Sequence, residues 1–167
     1  DWGADAEALS QDGMTALQIA VVWKHEAVVE LLLERGSEVE AKGQHDRTPL
    51  QTAVAGGNKA LVQLLLEKGV ANSEARTANG STLLQIASYE GHEEVVRLLL
   101  EKGAEIEAKD NHGLTSLLKS GARSHKATIE LLLDKGAYIE AKDTGGQTPL
   151  HRMVEYGNIA VIQLFLE

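Results

Sequence analysis

The sequence predicts an all-α solenoid of about five stacked helix-turn-helix units. Two observations carry this. Thr recurs at Thr15, Thr48, Thr82, Thr115 and Thr148, with steps of 33, 34, 33 and 33 residues, and Leu follows two places later at Leu17, Leu50, Leu84, Leu117 and Leu150. An apolar triplet (Leu31 to Leu33, Leu64 to Leu66, Leu98 to Leu100, Leu131 to Leu133, then Leu164, Phe165, Leu166) keeps the same register, with Gly36, Gly69, Gly103 and Gly136 three residues past it. A fixed period of this length is the mark of a repeat architecture, in which each unit buries its apolar face only against its neighbours.

Each column of the repeat has a physical reading. Thr is a favoured helix N-cap, its hydroxyl accepting from amides that the first turn leaves unpaired. Pro49 and Pro149 come next, where the missing N–H is harmless. A short first helix then carries the Leu and, three places on, a small residue (Ala20, Ala53, Ala87) that lets neighbouring backbones approach. Gly57, Gly91 and Gly157 end it in the left-handed conformation that Gly adopts most cheaply. The second helix starts near His25, Asn58, His92, His125 and Asn158 and runs through the triplet to the second Gly. A polar stretch of some ten residues turns the chain back. The one extra residue falls in such a stretch, between Gly69 and Thr82, so helical register is kept.

These columns resemble the ankyrin repeat, roughly G-x-T-P-L-H-x-A-A-x-x-G-H-x-x-V-V-x-L-L-L-x-x-G-A. Gly80, Thr82, Leu84, Ala87, Gly91, His92, Val95, Val96, Leu98 to Leu100, Gly103 and Ala104 match it in one unit, and Thr148, Pro149, Leu150, His151 and Gly157 in another. The resemblance covers essentially the whole chain. It implies antiparallel helix pairs with hairpin-like turns projecting sideways, and a concave face made of turn tips and first helices. It also implies that the His151 ring bonds back to its turn.

The expected organisation is a single repeat domain over 1–167. Residues 1–9 read as the remnant of a preceding repeat, since Gly3-Ala4-Asp5 aligns with Gly103-Ala104-Glu105. Repeats follow at 10–42, 43–76 (with the one-residue turn insertion), 77–109, 110–142 and 143–167, the last truncated. The chain is therefore expected to be a fragment of a longer repeat protein, monomeric and intracellular, in cytoplasm or nucleus.

Composition narrows the partner. A net charge of −9 disfavours a nucleic-acid backbone or an anionic membrane surface, both of which call for clustered Lys and Arg. With no cysteine, disulfide scaffolds and thiol chemistry are excluded. No apolar run approaches the roughly 18 residues a membrane helix needs. His25, His92 and His125 share one repeat position, in layers about 10 Å or more apart, too far to share a metal. The carboxylate rows (Glu34, Glu67, Glu101, Asp134; Glu40, Glu107, Glu140) alternate with Arg35, Lys68, Lys102, Lys135 and with Lys42, Lys109, Lys142, as a solvated edge does. No catalytic constellation, metal site or cofactor site is predicted.

Function is then expected where the period leaves residues free. Along the ends of the first helices these are Trp23, Gly56, Glu90, Arg123 and Tyr156, preceded by Val22, Ala55, Tyr89, Ala122 and Glu155. The turn tips supply Met14, His45, Arg47, Asn79, Ser81, His112, Leu114 and Gln147. Trp, Tyr and Arg dominate binding hot spots, and Trp23, Tyr89, Arg123 and Tyr156 fall on this one stripe. The reading is a protein-interaction module gripping a protein or peptide partner on its concave face, with Trp23, Tyr89, Glu90, Arg123 and Tyr156 as its centre. The alternative is a rigid spacer or intramolecular regulatory segment of a larger multidomain enzyme or signalling protein.

The fourth unit departs furthest from the pattern. It has Ser124 where Gly is usual (as Lys24 stands in the first) and Ser120-Gly121 in a helix interior. Asp46 likewise replaces a turn Gly in the second unit. The fourth unit is predicted to be the weakest layer. Native-state hydrogen exchange should find the amides of Leu117 to Ala122 less protected than those of Leu84 to Tyr89, and equal protection would refute this.

Overall fold

The computed structural model describes residues 3–43, 46–68 and 72–166. Ten α-helices and no strand are found among them. The chain divides into two compact units, Asp1–Ala75 and Arg76–Glu167. The first holds α1 (Ala16–Val22), α2 (Glu26–Glu34), α3 (Pro49–Ala55) and α4 (Lys59–Glu67). The second holds α5 (Leu83–Glu90), α6 (Glu93–Glu101), α7 (Ser116–Ala122), α8 (Lys126–Asp134), α9 (Pro149–Tyr156) and α10 (Ile159–Leu166). In each unit the first helices pack on one another (α1 on α3; α5 on α7, α7 on α9) and the second helices form the other layer. This is the expected α-solenoid of stacked pairs.

Helices of seven to nine residues are too short to persist alone in water, so stacking supplies what local propensity cannot. Leu17, Leu50, Leu84 and Leu117 of the first helices are fully buried, and so, nearly or fully, are Val29, Leu61, Leu65, Val95, Leu99, Ile129 and Leu132 of the second helices. Of the apolar triplet, the middle residue is the deepest, as at Leu65, Leu99 and Leu132.

All five Thr residues stand at the N-caps, in extended conformation. Three of them are joined by a partner the period had not revealed. Gln18, Gln51 and Gln85, three residues on, are buried and complete capping boxes. Gln85 Oε1 accepts from the Thr82 amide at 2.9 Å. Its Nε2 donates to the carbonyls of Ala108 and Leu114, in the turn of the next repeat, at 2.7 and 2.6 Å. Gln18 does the same in the first unit, accepting from Thr15 N–H and donating to Ala41 C=O at 2.7 Å. One buried amide thus caps its own helix and fastens the following turn.

The turns are closed loops rather than strand ladders. In each, the first residue's N–H bonds the carbonyl four places on (Ser10 to Met14, Gly43 to Arg47, Thr77 to Ser81, Asp110 to Leu114, Asp143 to Gln147). The fourth residue has positive φ, which explains Gly13, Gly80, Gly113 and Gly146 there; Asp46 adopts it too, at φ 57°. Lys24 (φ 59°) and Ser124 (φ 60°) hold the same left-handed conformation at the helix ends where Gly is usual. It costs an L-residue on the order of 1 kcal/mol.

Gly121 is more than a weak helix former. A Cβ there would meet Met153 Cε at 3.0 Å. Met153 is fully buried at the α9 position equivalent to Ala20, Ala53, Ala87 and Ser120. A large residue in the fifth repeat is therefore matched by a missing one in the fourth, where Val21 and Val54 stand in the first two repeats. The buried hydroxyls of Ser116 and Thr128 have no hydrogen-bond partner, and Thr128 occupies the place of Leu61, Val95 and Val161. Both features agree with a weak fourth layer.

The exchange of volume is testable by a double-mutant cycle. Met153→Ala should cost about 2–4 kcal/mol of unfolding free energy, and Gly121→Val a further penalty through overpacking. Combined, they should be less destabilising than their sum by about 1 kcal/mol or more. Strict additivity in chemical denaturation would rule out the coupling.

Candidate functional site

The stripe read from the sequence follows the ends of the first helices. Trp23 is the C-cap of α1 and 69% exposed; Arg123 is the C-cap of α7; Glu90 and Tyr156 are the last residues of α5 and α9. Tyr89 is 38% exposed and Tyr156 55%. Large apolar rings left in water at a helix end carry no core function.

In the second unit three of these residues form one cluster. The Arg123 guanidinium lies over the Tyr89 ring, 4.2 Å from its centroid, a cation–π arrangement. It also donates to the Tyr89 hydroxyl and to Glu90 Oε2, both at 3.2 Å. The Tyr89 contact chiefly, with the Glu90 charge, holds the guanidinium pKa above its ordinary value. The His125 ring nitrogen Nε2 sits 3.0 Å from the Tyr89 carbonyl oxygen, packed where a Cβ on Gly91 would be. Tyr89 therefore packs on the next first helix and still presents an exposed edge.

The turn-tip residues divide. Asn79 and His112 are exposed, and their carbonyls receive the amides of Asn111 and Thr144, both at 3.1 Å, so neighbouring tips are tied together. Met14, Arg47, Leu114 and Gln147 are half-buried. Leu114 is held through its backbone, and Gln147 Nε2 donates to Glu155 at 2.6 Å. Ser81 corrects the expectation of a free tip: it is buried, its hydroxyl shared between Asn79 Oδ1 and Lys119 Nζ. His45 lies outside the described residues.

Beneath the tips are two ion pairs that pattern reading missed. Asp143 opens its turn, accepts from the amides of Gly145 and Gln147, and is gripped by Arg152 of α9 at 2.6 Å. Asp110 accepts from the amides of His112 and Leu114, and its Oδ2 lies 2.8 Å from Lys119 Nζ of α7, off the direction of a regular hydrogen bond. The signal was present as Asp at the turn start with a cation nine residues later. For Asp143, the Arg152 hydrogen bonds lower the carboxyl pKa against the effect of burial. For Asp110, burial pushes upward, but the Lys119 ammonium and the two amides outweigh it, and the pKa is again lowered.

The charge rows also do more than solvate an edge. Glu7, Glu40 and Glu107 accept the amides of Glu38, Asn72 and Tyr138, one repeat on, at 3.0, 2.7 and 2.8 Å. Lys109 Nζ donates to the Lys142 carbonyl at 2.9 Å. Among the described residues no three His, Asp or Glu side chains converge as a metal would require. Nor is any helix among them long and apolar enough to cross a membrane.

Comparison with protein-family models gives ankyrin repeats (3 copies) over residues 39–110, and a single ankyrin repeat over 12–44 and 145–167. No curated protein matches the chain. The pair α7–α8 lies between the matched spans, with the Thr cap and closed turn of its neighbours.

The two turn ion pairs set an acid dependence. A lowered folded-state pKa means stability that is present above the ordinary aspartate range, about pH 4, and lost as pH falls through the folded values. Asp110→Asn with Asp143→Asn should destabilise the protein by about 2 kcal/mol at pH 7, and the gap to the parent should close below about pH 4. A gap independent of pH, in denaturation series from pH 7 to pH 2, would contradict the assignment.

Proposed function

The chain belongs to the ankyrin repeat family, whose members are generally non-catalytic modules for protein–protein interaction, and from this we propose that it binds a partner protein or peptide through its first-helix ends and turn tips. The first unit contributes Trp23, with Met14, His45 and Arg47, and the second contributes Tyr89, Glu90, Arg123 and Tyr156, with Asn79, His112, Leu114 and Gln147. The observation that carries this is the exposure of Trp23 and Tyr156 at one repeat position and of Tyr89 at the position just before it, on a chain with only six aromatic residues. The helices and turns are fixed by buried caps and inter-repeat bonds, so the surface is preorganised and little conformational freedom is lost on binding. The five repeats act as one binding domain in this reading.

Affinity capture with the whole chain as bait tests it. A specific partner should be retained by the parent and by Gln63→Ala, a substitution on exposed α4 surface, and lost by Trp23→Ala with Tyr89→Ala. Hot-spot truncations of this kind cost about 2 kcal/mol or more each, roughly a thirtyfold loss of affinity. Retention by the double variant at parental affinity would refute the assigned surface. Capture of nothing but regions flanking it in a longer chain would favour a spacer or intramolecular regulatory segment.

A further inference from the structure

The stripe has a gap. Four repeats place a long side chain at the first-helix end (Trp23, Glu90, Arg123, Tyr156), but the second has Gly56, preceded by Ala55. The missing side chains leave an open groove of about 260 Å³ between the ends of α1 and α3. Val21, Ala53, Ala55 and Gly56 line it, together with Lys24 and Arg47.

Its charge is opposite to that of the chain. Against 25 acidic and 16 basic residues overall, the lining has two cations and no carboxylate. Lys119 and Arg152, by contrast, are each matched to an Asp. Among the described residues no carboxylate lies within ion-pair reach of Lys24 or Arg47. Lys24 is moreover held in the left-handed conformation, where Gly would be cheaper. Strain of that kind is tolerated where the side chain has a use.

We propose that this groove receives an acidic peptide segment of a partner protein. One apolar side chain seats on Ala53, Ala55 and Gly56, and carboxylates to either side pair with Lys24 and Arg47. The inference rests on the interaction-module reading and names the partner's chemistry. Apolar burial anchors the peptide, and the two cations set its sequence preference and its salt dependence.

The test is an amide NMR titration of the whole chain with two blocked peptides, acetyl-EDLDE-amide and acetyl-KKLKK-amide. The acidic peptide should shift Val22, Lys24, Thr52 and Gly56 saturably, more weakly at 0.5 M salt, and the basic one should not. Lys24→Glu and Arg47→Glu should each weaken binding at least tenfold. Gly56→Tyr should abolish it, at an ordinary backbone conformation that carries Tyr156 in the fifth repeat. Lys24→Gly should raise thermal stability while weakening binding, which separates loss of binding from loss of fold. Shifts confined to the Tyr89–Arg123–Tyr156 region would overturn the groove and leave the interaction surface standing. Absence of shifts, or equal binding by all variants, would overturn the groove proposal, and affinity capture would still decide the broader reading.

Discussion

The stack depends on a buried side chain that serves two repeats at once. Helices of seven to nine residues have unpaired amides at one end, and the turn between repeats has unpaired carbonyls. Gln85 answers both: its oxygen takes the Thr82 amide and its nitrogen reaches the Ala108 and Leu114 carbonyls. A Gln suits this place because the amide group is acceptor and donor together. Its burial makes every one of those bonds costly to leave unmade, so the position of the next turn is set by hydrogen-bond geometry as well as by apolar contact. His151 fills the same place in the last repeat, its Nδ1 2.7 Å from the Thr148 hydroxyl.

The fourth repeat shows what happens without that group. Leu118 stands at the Gln position and is buried, so Thr115 caps the helix through its hydroxyl with no reciprocal partner. The fastening passes to the neighbouring residue. Lys119, one place on, reaches down to Asp110 and across to Ser81, joining two turns by charge where its neighbours use an amide. The fifth repeat uses Arg152 on Asp143 in the same way, in addition to its His. A change at one repeat position is thus compensated at the adjacent one, and Gly121 with Met153 repeats the lesson in volume.

How much of this was legible follows from what a period can encode. The Thr caps, the Leu column, buried at Leu17, Leu50, Leu84 and Leu117, and the left-handed positions at Gly91, Lys24 and Ser124 are single-residue consequences of the repeat, and the structure has them where the pattern put them. The Gln staples could have been read as capping boxes from Thr-x-x-Gln, but their second partner lies one repeat away and no local motif announces it. Gly121–Met153 joins residues 32 apart whose identities break the pattern, so a reading that seeks regularity sees each as a defect, and Asp110–Lys119 joins residues 9 apart that only the turn geometry brings together. Ser81 was misplaced for a related reason: a Ser in a turn looks solvent-facing until a Lys from a later helix is laid over it.

The same logic locates the binding surface. Residues that fasten repeats have their polar atoms occupied and their apolar atoms buried, which removes them from any contest for a partner. Among what stays available are the first-helix ends, where Trp23 and Tyr156 are exposed and Tyr89 keeps an exposed edge. There the second repeat has kept Gly56 and Ala55, beside a Lys in a conformation that Gly would hold more cheaply. Stability alone would favour filling the gap and replacing the Lys. In a fold where departures such as Gly121 and Lys119 are matched by Met153 and Asp110, a sequence that does neither leaves room here for a ligand as the matching partner.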